Sequence, residues 1–180
     1  MVNTNLELSE HLMAVKLNER EAELLLLQSQ INPHFLYNTL DSIIWMAEGK
    51  KYEDVVLMTA SLARLLRQSI SNEDETVLIG QEIQYVKSYL TIQKMRYKDK
   101  LEFEINVDPS INSVHIVKLV LQPIVENAIY HGLKYKESKG MLTVNGYQKD
   151  GNAVIEIADD GVGMDAETLN RIFKKHKVNY

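Results

Sequence analysis

The sequence contains no cysteine and only three prolines among its 180 residues. Without cysteine, the chain has neither a disulfide framework nor a cysteine-based metal site. It also lacks the run of about 20 apolar residues that a transmembrane helix requires, and its N-terminus has no basic-then-apolar signal pattern. We therefore predict that these residues form soluble units.

A tract of basic residues is also missing, and the formal net charge is −5. A protein that binds the nucleic acid backbone normally presents a basic face, so direct contact with nucleic acid is not expected. The composition is 45% hydrophobic and 25% charged. These values are typical of one or two globular units.

The segment QSQINPHFLYNTL, residues 28–40, combines an amphipathic helical run with a break at Asn32-Pro33. Proline kinks a helix interior, but Asn32 is a good N-cap and Pro33 a good first residue if a helix restarts there. In either case His34 lies in a first turn, where the helix dipole favours anionic ligands and suits a nucleophile that meets a phosphate. Asn38, one turn later, could hydrogen-bond the imidazole and select its tautomer. From spacing alone, a core histidine satisfied by its neighbours is the favoured interpretation.

Extended to QSQINPHFLYNTLDSI, the segment resembles the phosphoacceptor region of LytS/YesM-type sensor histidine kinases, whose pattern is N-P-H-F-[LFY]-x-N-x-L. The resemblance implies that His34 is phosphorylated from ATP and passes the phosphoryl group to an aspartate of a response regulator. Many other histidine kinases place an acid directly after the acceptor, whereas this chain has Phe35. The sequence therefore identifies no general base for His34.

The helices around this segment suggest a dimer. Apolar residues recur at steps of three and four over Leu6–Ile31, but two of the eight seam positions are charged, which makes an imperfect coiled coil. Its position before the phosphoacceptor segment favours a signalling helix that pairs two protomers; an ordinary amphipathic helix is the alternative. Tyr52–Ile70 is a second amphipathic helix, and we predict an antiparallel hairpin that forms a four-helix dimerisation bundle with a second chain.

The rest of the chain predicts a mixed sheet with helices on one face. Gln81–Tyr97 should form a third helix, after a loop over residues 71–75. The predicted elements that follow are a strand over Leu101–Val107, a helix over His115–Leu133 closed by Gly132, strands over Met141–Tyr147 and Ala153–Ala158 joined by a hairpin turn at Lys149–Asn152, and a last helix capped by Asp165.

Asn127 and the loop formed by Asp159, Gly161 and Gly163 are the residues in this half that point to chemistry. Alone, D-x-G-x-G is a weak signal, because glycine is also chosen for turn conformation. Together, LQPIVENAIYHG and IADDGVGM resemble the asparagine box and first glycine box of the gyrase, heat-shock chaperone, histidine kinase and mismatch-repair ATPase superfamily. The resemblance implies that ATP and Mg²⁺ bind here.

The same resemblance implies individual roles. Asp159 would bind the exocyclic amine of adenine, Asn127 the magnesium ion, and Gly161 and Gly163 would form the nucleotide loop; His131 and Lys134 are candidate phosphate neighbours. Many kinases carry a lysine where this chain has Tyr130, and whether Lys134 substitutes for it is open. Hydrolysing members of the superfamily place a glutamate four residues before the asparagine, where this chain has Pro123. That difference favours transfer to a histidine over attack by water.

No glycine follows Gly163, so the second glycine box and the lid over the triphosphate are missing. We expect a fragment with impaired ATP binding from a competent parent protein, since positioning of the phosphates dominates phosphoryl transfer.

The predicted fold class is α+β, a coiled-coil helix and helical hairpin followed by a truncated α/β-sandwich ATP-binding domain. The predicted domains are 1–31, 32–98 and 99–180. The predicted function is the cytoplasmic portion of a dimeric, membrane-anchored sensor histidine kinase. The alternatives are a superfamily ATPase that uses nucleotide as a conformational switch and a non-catalytic dimerisation scaffold.

Overall fold

The structure, a computed structural model, describes residues 32–70, 75–136 and 138–163. The predicted coiled coil over residues 1–31 and the helix predicted from Asp165 onward lie outside these ranges. The chain divides into two compact units, with the boundary between residues 72 and 73. None of the helices in the described ranges is both long and apolar enough to cross a bilayer.

The first unit contains two helices, α1 (Pro33–Glu48) and α2 (Tyr52–Ile70), as the sequence predicts. Only three residues separate the helices, so they form a hairpin. Lys50 takes a left-handed conformation in the turn, with φ of 57°, and the amide of Lys51 donates to the carbonyl of Met46. Each helix buries one face against the other helix. The buried residues are Phe35, Thr39, Met46, Met58, Ser61, Leu62, Leu65 and Ser69.

Helix α1 begins at Pro33, which is one of the two outcomes that the sequence leaves open for Asn32-Pro33. The side-chain oxygen of Asn32 accepts a hydrogen bond from the amide of His34 at 3.0 Å, and Pro33 is the first helical residue. This N-cap satisfies one of the amides that a helix start leaves without a partner, and proline at the first position loses no hydrogen bond. His34 is thereby fixed in the first turn of α1.

The second unit is built on a three-stranded mixed sheet. Strand β2 (Leu101–Val107) runs parallel to β4 (Gly140–Lys149), which pairs antiparallel with β5 (Asn152–Asp159). The predicted turn between β4 and β5 is present: Asp150 and Gly151 have φ of 49° and 79°, the pattern of a two-residue hairpin turn. Alternate residues of β4, such as Leu142 and Val144, are fully buried.

Helix α3 (Ile79–Tyr97) belongs to this second unit, whereas the predicted boundary after residue 98 groups it with the phosphoacceptor hairpin. Its packing explains the difference, because α3 contacts both β2 and the helix that begins at Leu121. Ten of its residues are buried: Ile79, Glu82, Ile83, Tyr85, Val86, Ser88, Tyr89, Leu90, Ile92 and Gln93. A helix buried to this extent is held by the sheet domain.

The prediction of one long helix over His115–Leu133 is wrong. The segment starts as a short strand, β3 (His115–Val117), paired antiparallel with β1 (Thr76–Leu78). The chain turns at Leu119, whose φ is 59°, and only then forms α4 (Leu121–Asn127). The β-branched residues of β3 suit a strand, and pairing with β1 outweighs the helical pattern.

The end of the same segment also differs from the prediction. A π-helical segment, Ala128–Leu133, follows α4 without interruption, with the amide of Lys134 bonded to the carbonyl of Ile129 at 2.9 Å. Gly132 therefore lies inside a helical turn and does not close a helix. Single π-helical turns of this kind are rare and occur often at functional sites.

Candidate functional site

His34 is exposed in the first turn of α1, and its ring contacts Asn38 one turn later. The side-chain nitrogen Nδ2 of Asn38 lies 3.0 Å from Nε2 and 3.2 Å from Nδ1 of His34. A neutral imidazole has one nitrogen that accepts and one that donates, so the Asn38 amide is within hydrogen-bonding distance of the acceptor in either tautomer. An exposed ring does not fit the core-histidine interpretation.

The neighbours of His34 hold it on the surface of the hairpin. Phe35 is buried, and so is Thr39, whose hydroxyl donates to the Phe35 carbonyl at 2.7 Å. Because successive helical residues are about 100° apart, burial of Phe35 and Thr39 leaves His34 exposed and Asn38 half-buried beside it. The imidazole is accessible while its backbone is anchored.

Asn127 is the last residue of α4, and its side chain is exposed. A buried carboxylate from another element fixes the start of this helix: Glu82 of α3 accepts hydrogen bonds from the amides of Leu119 at 2.8 Å and Leu121 at 3.4 Å. Burial raises the pKa of Glu82, and these hydrogen bonds together with Lys118 partly oppose that rise. The sequence did not predict this role for Glu82, because nothing in the local pattern separates it from a solvated glutamate.

The π-helical segment changes the relation of His131 and Lys134 to Asn127. Both side chains are exposed. In a regular α-helix they would lie one and two turns beyond Asn127 on nearly the same face. Bonding to the fifth residue widens the turn, so the two side chains are rotated away from that alignment.

Hydrogen-bonded polar side chains join α3 to the π-helical segment that follows Asn127. The hydroxyl of Tyr89 accepts a hydrogen bond from Gln93 at 2.8 Å, and it also contacts Tyr130. Burial raises the pKa of Tyr89, and Glu126 and Tyr130 add to the effect. Tyr130, which occupies the position of a lysine in many kinases, thus contacts α3. Glu126 accepts a hydrogen bond from Gln122 at 2.7 Å.

The loop after β5 is held by its own backbone and by the neighbouring strand. Asp159 is the last residue of β5, and its Oδ1 accepts a hydrogen bond from the amide of Gly161 at 2.9 Å. The Oδ1 of Asp160 accepts from the amide of Met141 at 2.8 Å, and Lys136 forms an ion pair with the other oxygen at 2.6 Å. Lys136 and the Met141 amide lower the pKa of Asp160. The Asp159 carboxylate is exposed and has a fixed orientation.

The structure brings this loop against the π-helical segment. The amide of Val162 donates to the carbonyl of Gly132 at 3.1 Å. Gly132 itself contacts the Asp159 carboxylate and the backbone at Gly161. Asp159 and Gly161 thus lie next to the segment that follows Asn127. Gly163, with φ of 72°, is exposed.

The oxygen donors of the second unit fit the predicted ligands. Mg²⁺ prefers oxygen ligands and keeps several waters, so the exposed amide of Asn127 together with phosphate oxygens would suffice. The exposed carboxylate of Asp159 is an acceptor suited to the exocyclic amine of adenine. His34 and Asn38 lie in the other unit and form a separate candidate site.

Two family models match the chain. One, described as "Histidine kinase", covers residues 22–101, and the other, described as "Histidine kinase-, DNA gyrase B-, and HSP90-like ATPase", covers residues 113–179. The first range contains His34 and the second contains Asn127 and the loop at Asp159. The chain therefore belongs to the histidine kinases that carry a gyrase- and HSP90-like ATPase region.

The curated relatives narrow this class to sensor kinases of the YesM and LytS type. Sensor histidine kinase YesM of Bacillus subtilis is 39% identical over 91% of this chain and 28% of the relative. Sensor protein LytS of Oceanobacillus iheyensis is 33% identical, over 87% and 27%. Sensor histidine kinase YpdA of Escherichia coli K12 is 35% identical, over 96% and 30%. The chain thus spans less than a third of the length of these relatives.

Proposed function

We propose that His34 is the phosphoacceptor of a two-component sensor kinase. The observation that carries the proposal is the exposed imidazole of His34 in an N-capped first turn, with the Asn38 amide at 3.0 to 3.2 Å from its ring nitrogens. An unprotonated ring nitrogen attacks the γ-phosphorus of ATP, the bond from that phosphorus to the bridging oxygen of ADP breaks, and ADP leaves. The phosphoryl group then moves from the imidazole to an aspartate carboxylate of a response regulator, as the phosphorus–nitrogen bond breaks.

The second unit binds the nucleotide in this proposal. Asp159 accepts a hydrogen bond from the adenine amine, Gly161 and Gly163 let the backbone approach the nucleotide, and Asn127 holds the magnesium ion. A bound magnesium ion neutralises charge on the phosphates, which is a large part of phosphoryl-transfer catalysis. Lys134 and His131 are assigned to the phosphates by the resemblance alone, because the π-helical turn rotates both side chains out of alignment with Asn127. Pro123 cannot act as a general base for water, which favours transfer to His34 over hydrolysis.

The hairpin also supports the proposal of a homodimer. Tyr37, Leu40 and Ile44 form an exposed apolar stripe along α1, with exposed fractions of 67%, 42% and 58%. Tyr52 and Val56 of α2 are also exposed. A four-helix bundle buries the apolar stripes of all its helices, and this exposed stripe gives α1 an apolar surface that a second hairpin can cover. We infer that two hairpins pair, preceded by the coiled coil, at the cytoplasmic side of a membrane-anchored sensor.

The test is whether γ-labelled ATP phosphorylates the full-length natural protein that contains these residues. His34→Gln and Asn127→Ala should abolish an acid-labile, base-stable label. Matched controls are His115→Gln, at an exposed position of β3, and Asn152→Ala, in the β4–β5 turn; both should keep the label. Label that survives His34→Gln would place the acceptor elsewhere. Nucleotide binding without any label would favour the conformational switch, and no binding would favour the scaffold.

A further inference from the structure

Gly132 lies in the π-helical segment, five residues after Asn127, and it is buried. A Cβ atom added at Gly132 would lie 2.4 Å from Oδ1 and 3.0 Å from Cγ of Asp159. Contacts of that kind normally lie at 3.4 Å or more. Its φ is not in the left-handed region, so the requirement for glycine here is steric and not conformational.

The contact between Gly132 and the loop after β5 is equally close at Gly161. A Cβ atom added at Gly161 would lie 2.4 Å from the carbonyl carbon of Gly132 and 2.5 Å from its Cα. The amide of Val162 donates to the Gly132 carbonyl at 3.1 Å, and the amide of Gly161 donates to the Asp159 Oδ1 at 2.9 Å. The backbone of Gly161 therefore lies directly against the backbone of Gly132, and the Asp159 carboxylate lies beside them.

We propose that Gly132 is a positioning residue that sets the Asp159 carboxylate for recognition of the adenine amine and ties it to the helical segment of Asn127. The proposal rests on the proposed function, because it assigns adenine to Asp159. A methyl group at Gly132 must displace Oδ1 by about 1 Å, the difference between 3.4 Å and 2.4 Å. A shift of that size breaks a hydrogen bond whose normal donor–acceptor range is about 2.7 to 3.2 Å.

The first experiment uses the full-length natural protein that contains these residues. It compares the affinity for ATP with the affinity for purine riboside triphosphate, which lacks the exocyclic amine. In Gly132→Ala, ATP should bind about ten- to a hundredfold more weakly, while the affinity for the analogue changes little. The preference for ATP over the analogue should therefore collapse. Gly80→Ala is the matched control, because its added Cβ meets Asn112 only at 3.4 Å, an ordinary contact.

A double-mutant cycle separates this role from a general loss of folding. Asp159→Ala should remove the preference for ATP, and adding Gly132→Ala to it should remove nothing further. Equal losses of both nucleotides in Gly132→Ala would overturn the proposal, as would a further loss of preference in the double variant. If Gly132→Ala does not fold by circular dichroism, adding Asp159→Ala removes the carboxylate that its methyl group meets; recovery of folding would uphold the contact, and a double variant that stays unfolded would overturn it.

A measurement without nucleotide distinguishes failure of this inference from failure of the proposed function. Amide hydrogen exchange at Gly161 and Val162 should be faster in Gly132→Ala than in the unsubstituted chain and in Gly80→Ala. Unchanged exchange would overturn the positioning role whether or not ATP binds. Faster exchange in a protein that binds no nucleotide would uphold the contact and overturn the adenine assignment together with the proposed function.

Discussion

The carboxylate of Glu82 accepts a hydrogen bond from the amide of Leu119 at 2.8 Å, although the two residues are 37 positions apart. Leu119 is in the left-handed region, and α4 starts two residues later. Glu82 thus caps, from α3, the helix that ends at Asn127. A carboxylate at a helix start is favoured by the helix dipole, and it satisfies amides that would otherwise lack partners.

This contact predicts a pH dependence of stability. Burial raises the pKa of Glu82 above its ordinary value of 4.5, so the carboxyl group binds its proton more tightly in the folded state than in the unfolded state. Its contribution to the free energy of unfolding is therefore fully present below pH 4.5 and is lost as the pH rises through the folded pKa. Glu82→Gln, which keeps an acceptor for Leu119 but does not titrate, removes that loss.

Urea unfolding of both proteins from pH 4 to pH 7 measures the effect. Relative to the unsubstituted chain, Glu82→Gln should become more stable as the pH rises. Glu104→Gln, at an exposed position of β2, is the control for removal of one charge. A difference between Glu82→Gln and the unsubstituted chain that stays constant with pH would contradict the prediction. Glu82→Ala should cost about 1 to 3 kcal/mol, because two amides lose their acceptor.

The contact between Asn38 and His34 predicts an effect on phosphorylation rate. Asn38→Ala removes the hydrogen bond that restricts the ring, which is worth about 0.5 to 1.5 kcal/mol, so the initial rate of labelling should fall about two- to tenfold. Ser42→Ala is the control one turn later, since the Ser42 hydroxyl bonds the Asn38 carbonyl and not the ring. Equal rates in Asn38→Ala and Ser42→Ala would show that the contact does not orient the acceptor.

The N-cap at Asn32 predicts a change in stability of the hairpin. Asn32→Ala leaves the His34 amide without its side-chain acceptor and should lower the free energy of unfolding by about 1 kcal/mol. Asn32→Asp keeps an acceptor oxygen and should retain most of that stability. Thermal unfolding of the three proteins checks the order. Asn32→Asp as unstable as Asn32→Ala would argue against the cap.

Helix capping, turn chemistry and side-chain periodicity predicted the parts of this fold that contacts between neighbouring residues determine. The cap at Asn32, the hairpin turn at Asp150 and Gly151, and the alternating burial of β4 follow from turn chemistry and side-chain period. The resemblance to sensor histidine kinases predicted the family.

Contacts between distant parts of the chain account for what could not be predicted. Val77 pairs with Ile116 across the β1–β3 ladder, and this pairing converted the start of a predicted helix into a strand. Glu82 reaches Leu119, and Gly132 meets Asp159, through packing that no short pattern encodes. Gly132 suggested a helix end, because glycine is common at that position. In the structure, glycine is required there because the Asp159 carboxylate occupies the space of a side chain.

The exposed stripe of α1 gives the last prediction, on assembly. Ile44 is 58% exposed and lies two turns beyond Tyr37 on the same face. If that face is buried between two hairpins, Ile44→Glu removes an apolar contact and introduces a charge, so the dimer dissociation constant should rise at least about tenfold. Sedimentation equilibrium measures it, and Gln84→Glu, which adds the same charge at an exposed position of α3, is the control. A dimer that Ile44→Glu and Gln84→Glu leave equally stable would place the interface on another face, because an apolar side chain at the centre of a bundle cannot be exchanged for a carboxylate without loss.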